Sequence, residues 1–405
     1  MVSAQRVGQG SGIAAVLVIF GLNGAIFGSW ASRVPALAGQ VGAQEGALGL
    51  SLLGASIGMI FAASVTGRLA ARFGARVLIG ASVVATCVVV PVLGLVPNPL
   101  ALGLTLIALG ATVGMLDVAM NIAAVTVVRR SERPLMPVFH AAFSFGGLVA
   151  ATGSALAVYL DVALLPHLAV VGVLVTVIGL IVLRHVPNET IPESAHLATG
   201  PSPVRRPVLW LLALVALCSA VAEGASADWS ALFAVDYRQI NESVAAFVYG
   251  AFSLAMAVTR LVGERAERRF GPEKLLVSGA LIAAAGLVVS ALVPWQAATF
   301  VGFAMAGMGL AYAFPIALGL AGAAGRRADG SGGEREIGFV TTIAYTGFLA
   351  GPPLIGGIAH LVDLSFALVI AGVITAAIAP GALAAAAAGR RERVTRMEDA
   401  PAPSR

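Results

Sequence analysis

One pattern constrains the fold of this chain more than any other: apolar runs of 18 or more residues recur along almost its whole length. Each run is long enough to cross, as a helix, a hydrocarbon layer about 30 Å thick. Set against the polar breaks, they cover residues 12–32, 46–66, 77–96, 100–127, 136–159, 163–183, 208–232, 244–262, 275–294, 297–323, 337–360 and 364–388. A soluble fold can bury one or two such helices, not twelve. Composition agrees, with 59% of the 405 residues hydrophobic and 11% charged, against roughly 25% charged in globular proteins. The 48 glycines suit helices that must approach closely in lipid, where no hydrophobic effect draws them together. The expectation is an all-α membrane protein of twelve transmembrane helices.

A formal charge of +5 would suggest a nucleic-acid partner, but the positions of the cations explain it by topology. With an inside N-terminus, every Lys and Arg except Arg33 and Arg238 falls in an inside segment, which is the bias that orients membrane proteins. One missed or invented helix would break the alternation from that point on. The reading is a cytoplasmic (inner) membrane protein with both termini cytoplasmic and no nucleic acid bound. The first run is longer than the core of a signal peptide and is read as an uncleaved helix. Cys87 and Cys218 lie inside apolar runs, so they are read as packing residues, not as a disulfide or metal site.

The polar stretch 184–207, with Pro187, Pro192, Pro201, Pro203 and Pro207, reads as a cytoplasmic linker between six-helix halves at 1–183 and 208–388. The tail 389–405, with Arg390, Arg391, Arg393 and Arg396, is expected to be unstructured. The halves resemble each other. Arg72-Phe73-Gly74 returns as Arg269-Phe270-Gly271, Trp30 as Trp229, and Gly147 with Ala150 as Gly347 with Ala350. Offsets near 200 indicate a duplicated unit, hence two pseudo-symmetric bundles and a secondary transporter of the alternating-access kind.

Between the second and third runs stands Gly67-Arg68-Leu69-Ala70-Ala71-Arg72-Phe73-Gly74-Ala75-Arg76. It resembles the loop signature of the major facilitator superfamily, with Ala71 where the family usually has an acid. The glycines Gly67 and Gly74 permit a tight turn. Arg68, Arg72 and Arg76 can bond helix-end carbonyls and acids across the half interface, so the loop is expected to gate the conformational change.

An acid at a helix centre costs about 2.5–3.5 kcal/mol on insertion scales and marks function. Three lie within spans: Asp117 in the fourth, and Glu223 and Asp228 in the seventh. Asp117 shares a helical face with Gly110, Gly114 and Asn121. Such a face serves either a solute or proton site or a structural bond between helices. Asp228 lies towards the outer end, about 140° from Glu223 on a regular helix, and serves either as part of the site or as a wetted residue at the membrane edge. The segment Gly114-Met115-Leu116-Asp117-Val118-Ala119-Met120-Asn121 resembles the fourth helix of fucose-permease-like transporters. That resemblance implies a role for Asp117 in sugar binding and proton coupling. The first-helix acid of that group has no counterpart, Asn23 being the nearest polar residue. The whole chain is more similar to uncharacterised bacterial inner-membrane members, in which Trp30 with Arg33, the Asp117–Asn121 pair, His140 with Ser144, and Glu223 with Asp228-Trp229 recur.

His140, Ser144 and Gly147 line one face of the fifth run, so His140 either shuttles protons or bonds a neighbouring backbone. His167, His185, His196 and His360 are expected to be solvated. Asn23, Phe27 and Trp30 share a face, and Trp30 and Trp229 serve either to stack on a sugar or to anchor at the interface. Tyr312 aligns with Asp117 in the repeat, with Tyr249 and Tyr345 as weaker cavity candidates. Pro315 should kink the tenth helix, and Gly351-Pro352-Pro353 should bend the eleventh.

No phosphate-cradling glycine loop with lysine appears, and no clustered catalytic groups; the reading is a non-enzyme without cofactor. It is a monomeric transporter of a small polar solute, a sugar or related metabolite, coupled to protons in symport. Asp117 and Glu223 are expected to face one aqueous cleft, with Asn23, Trp30, Asn121, Trp229 and Tyr312 completing the solute site and His140 joining the proton path. Two alternatives stand beside it. One is an efflux antiporter of drugs or metabolites, disfavoured by the lack of a fifth-helix Gly-Pro pattern. The other is a non-transporting sensor or assembly partner.

Overall fold

A computed structural model describes residues 2–131, 135–188, 202–325 and 333–398, without the side chains of 2–9, 334 and 393–398. His196, Arg133, Arg326 and Arg327, and most of the linker, lie outside the described residues. Among the described residues twelve helices are long and apolar enough to span a membrane: α1 Gly10–Ala31, α2 Glu45–Phe73, α3 Ala75–Leu95, α4 Pro99–Ser131, α5 Met136–Tyr159, α6 Leu164–Leu183, α7 Pro207–Arg238, α8 Glu242–Phe270, α9 Pro272–Leu292, α10 Gln296–Gly325, α11 Arg335–Leu361 and α12 Leu364–Glu392. α1–α6 form one bundle and α7–α12 the other. Large apolar side chains such as Phe61, Leu100, Val149 and Val373 stand exposed around the outside, the surface expected of a chain solvated by lipid.

Inside each bundle the helices touch through glycine. A Cβ on Gly24 of α1 would stand 1.8 Å from the Phe143 carbonyl oxygen of α5, and one on Gly286 of α9 would stand 2.4 Å from the Gly302 carbonyl oxygen of α10. Only backbone against backbone fits there, so dispersion and close contact replace the missing hydrophobic drive. The repeat is visible in the turns. Gly74 closes α2 at φ 84°, ψ 151°, and Gly271 closes α8 at φ 81°, ψ 157°, a left-handed region that glycine enters without a Cβ clash.

Proline interrupts α10 as expected. Helical structure stops at Leu310 and resumes at Ala313, because Pro315 has no N–H to offer the Ala311 carbonyl four residues earlier. α11 runs as one helix through Pro352 and Pro353. The Phe348 carbonyl that Pro352 leaves free accepts the Ser56 hydroxyl of α2 at 2.7 Å.

Three expectations are corrected. The stretch after Gly389 continues as helix to Glu398: the alanine-rich run before it and the Arg and Glu within it favour helix, and no proline comes before Pro401. Arg260, counted above among the cations of the inside segments, lies within α8, which continues to Phe270, with its side chain 13% exposed. His167 is buried, not solvated, whereas His185 and His360 are exposed, and of the two readings left open for Asp228 the buried one holds. A short helix absent from the reading, Val34–Val41, follows α1 and seats Val34, Leu37, Ala38 and Val41 against α7.

We call the face that carries the start of α1 and the end of α12 the terminal face, and the opposite one the distal face. The bundles meet along α2 with α11 and α5 with α8, and they meet differently towards the two faces.

Candidate functional site

Towards the distal face the interface is shut. A Cβ on Gly49 of α2 would stand 2.6 Å from the Pro352 carbonyl oxygen of α11, and one on Gly356 would stand 2.6 Å from that of Glu45. Arg33, after α1, pairs across the bundles with Glu242 at the start of α8, Nε to Oε1 3.6 Å. Burial lowers the Arg33 pKa and the Glu242 carboxylate opposes that shift. Tyr237 of α7 reaches the Glu45 carboxylate of α2 at 3.4 Å and accepts the Leu364 N–H at 3.1 Å.

Towards the terminal face the bundles part around a cavity of about 580 Å³. The first bundle lines it with Asp117 and Asn121 of α4 and Met136, Pro137 and His140 of α5. The second lines it with Arg260, Gly263, Glu264 and Glu267 of α8, Ala311 to Gly319 of α10 in part, and Thr341 and Tyr345 of α11. Met136 and Pro137 begin α5 while Glu264 and Glu267 lie near the end of α8, which places the mouth at the terminal face.

Asn121 donates from Nδ2 to the Asp117 carbonyl at 2.9 Å and reaches its Oδ1 at 3.5 Å. Among the described residues the Asp117 carboxylate makes no ion pair, and Tyr345 lies within its electrostatic reach. The Tyr312 hydroxyl donates to the Thr259 carbonyl. Arg260 sets its Nη2 3.9 Å from Glu223 Oε1, donates from Nη1 to Ser144 Oγ at 3.3 Å, and reaches from Nε to the Ala311 carbonyl at 3.4 Å. His140 presents an edge to Phe20, with ring centroids 5.4 Å apart.

Of the residues singled out in the sequence, Asp117, Asn121, His140, Tyr312 and Tyr345 therefore come together on one cavity, and Tyr249 does not line it. Glu223, expected to face the same cleft as Asp117, does not line the cavity; its carboxylate lies 3.9 Å from Arg260, which does. Asn23 is buried against α4, its Nδ2 3.6 Å from Met120 Sδ. Trp30 packs edge-on to Phe27, and Trp229 is fully buried with its indole N–H unpartnered; none of these three lines the cavity. The segment Gly67 to Arg76, read above as a loop, is helical except at Gly74: residues 67–73 end α2 and Ala75 begins α3. Gly67, Arg68 and Arg72 are exposed, and Arg72 lies over the Phe73 ring. Arg76 donates to the Val186 carbonyl at 2.6 Å, inside its own bundle and not across the interface.

Sequence reasoning missed Arg260, Glu264, Glu267 and Thr341. A signal was present: Tyr249, Ser253, Arg260, Glu264 and Glu267 recur at helical spacing, a polar stripe on a membrane helix. No group of three or more metal-ligating side chains exists among the described residues.

A family profile described as Major Facilitator Superfamily matches residues 12–333. An uncharacterised MFS-type transporter of Yersinia pestis is 34% identical over 368 residues, covering 90% of this chain and 93% of its own. The membrane protein MosC of Rhizobium meliloti is 28% identical, covering 90% and 88%. Among solved structures, the nucleoside transporter NupG superposes with TM-score 0.73 at 12% identity, covering 92% of this chain and 99% of that one. A bacterial homologue of the human lysosomal transporter Spinster, in an inward-facing and unoccupied conformation, gives 0.69 at 14% identity, covering 98% and 99%. The E. coli fucose:proton symporter FucP gives 0.61 at 16%, covering 92% and 98%.

Proposed function

Because the chain belongs to the major facilitator superfamily, we propose that it is a secondary active transporter that carries a small polar solute, a sugar or related metabolite, across the cytoplasmic membrane together with protons. The terminal face is cytoplasmic in this reading, as the lysines and arginines orient it. The observation that carries it is the Asp117 carboxylate, in no ion pair among the described residues, on a cavity of about 580 Å³ between the bundles, within the range of roughly 300–1,000 Å³ that small-molecule sites occupy. A carboxylate held in a span without a counter-charge costs free energy that a proton or a solute donor offsets. Asn121, Tyr312, Tyr345 and Thr341 supply the neutral hydrogen-bonding groups that hydroxyl-rich solutes need. Two structural neighbours, the fucose:proton symporter and the nucleoside transporter, carry a sugar and nucleosides, solutes of that kind.

Alternating access supplies the mechanism. The distal contacts part as the terminal cavity closes, and solute and proton change sides together. The test has two stages. A thermal-shift panel of sugars, polyols and nucleosides, run on the purified protein at pH 5.5 and 7.5, selects the solute. Uptake in proteoliposomes is then compared for the wild type and Asp117→Asn. The reading expects Asp117→Asn to lose proton-driven uptake while keeping solute exchange. Gradient-driven uptake unchanged in that variant would remove Asp117 from the coupling.

A further inference from the structure

A cation inside a membrane span persists only if it is matched, and the way Arg260 is matched ties three helices together. A guanidinium holds five N–H donors in one rigid plane, and Arg260 spreads them over Glu223 of α7, Ser144 of α5 in the opposite bundle, and Ala311 of α10. The third contact depends on Pro315. The Ala311 carbonyl lacks its helical donor because Pro315 has no N–H, and Arg260 supplies one. In return Tyr312, at the same break, donates to the carbonyl of Thr259, the residue before Arg260. α8 and α10 are thus clasped reciprocally at the one interruption in α10. The contact to the other bundle is equally directed, since Ser144 gives its own proton to the His140 carbonyl and so offers Arg260 a lone pair.

We infer that Arg260 is the positioning residue through which the charge on Glu223 decides whether the bundles stay apart at the terminal face, an assignment that rests on the transporter reading above. With Glu223 ionised, the pair is neutral and the fork keeps its three partners, the arrangement described here. With Glu223 neutral, a buried cation is left without its counter-charge. It then turns to the other carboxylates on the same cavity, of which Asp117 belongs to the opposite bundle. Pairing with Asp117 draws α4 towards α8 and shuts the mouth. The charged and titratable groups around the switch are Arg260, Tyr249, Glu264 and Glu267 of α8, with Glu264 paired to Arg268, His140 of α5 beside Arg260, Asp117 of α4, Tyr312 of α10, Tyr345 of α11, and Asp228 further along α7.

The experiment needs neither solute nor gradient. In purified protein carrying Cys87→Ser and Cys218→Ser, a Thr341→Cys reporter in the cavity wall is labelled with a charged maleimide at fixed pH. Glu223→Gln should slow labelling at least tenfold. Arg260→Gln, or Asp117→Asn, introduced with Glu223→Gln should restore the parental rate, and Arg260→Lys should leave a partial response. Labelling that stays within twofold in Glu223→Gln, or slowing that persists without Arg260, would overturn the assignment. Wild-type labelling that does not change between pH 6 and 8, normalised to an exposed control cysteine, while Glu223→Gln still closes the cavity, would uphold Arg260 and remove the proton from the proposed function.

Discussion

At the distal end of the interface α2 meets α11 through Gly49 and Gly356, backbone on backbone; at the terminal end α4 and α5 stand off from α8 and α10 around a cavity of about 580 Å³. The difference lies in side-chain size and polarity. Where glycines line both helices the bundles can touch, and no water or solute fits between them. Where Asp117, His140, Arg260, Tyr312 and Tyr345 project, they hold the helices apart and need partners of their own. The seal is thus stabilised by close contact and the cavity by polar matching. The two ends should respond to opposite kinds of substitution.

The largest effect is expected from bulk in the seal. Gly49→Leu together with Gly356→Leu places side chains where a single Cβ already meets backbone at 2.6 Å, and overpacking of this kind costs about 1–3 kcal/mol per site. The distal end should then fail to close. Uptake and exchange should both be lost while the protein remains folded, checked by proteoliposome flux beside size-exclusion profiles. The same change at Gly24, inside the first bundle, should instead prevent folding, because the Phe143 carbonyl lies 1.8 Å from its Cβ position.

A smaller and asymmetric effect is expected at the distal ion pair. Arg33 is buried and Glu242 about a third exposed, with side-chain exposures of 6% and 32%. Removing the acid leaves a buried cation unpaired, whereas removing the base leaves a carboxylate whose Oε1 is buried but whose side chain is partly exposed. Glu242→Gln should therefore open the distal end by about 1–2 kcal/mol, and Arg33→Gln by less than about 1 kcal/mol. Labelling of a distal cysteine in each variant reads the difference, and equal effects would show that burial does not govern the pair.

The smallest effect sharpens the boundary between seal and site. Trp229 is buried in the seal with its N–H unpartnered, so Trp229→Phe removes an unsatisfied donor and should leave the KM for the transported solute within twofold. A tenfold rise in KM would move Trp229 into the solute site.

Much of this architecture was legible in the sequence, because its signals are one-dimensional. Span length, the alternation of Arg and Lys, and the paired Arg-Phe-Gly turns all read along the chain, and Gly74 and Gly271 adopt nearly the same dihedrals. Asp117 with Asn121 was legible as well, since an acid mid-span has few innocent explanations. Arg260 was not, because a cation two residues from the end of an apolar run looks like a loop residue until α8 is seen to continue to Phe270. Nor could the sequence separate Trp30 and Trp229 from the cavity. Face patterns say which residues turn inward between bundles, but the state of the interface decides which of its ends is closed.

The central claim is that the two ends exchange roles, and paired distances measure that most directly. Spin labels on cysteines replacing Gln44 and Leu361 span the distal end of α2 and α11, and labels replacing Phe73 and Arg335 span the terminal end. Taking the sample from pH 8 to pH 5 should lengthen the distal distance and shorten the terminal one. Distances that both stay fixed, with or without the solute panel, or that both change in the same direction, would contradict the account.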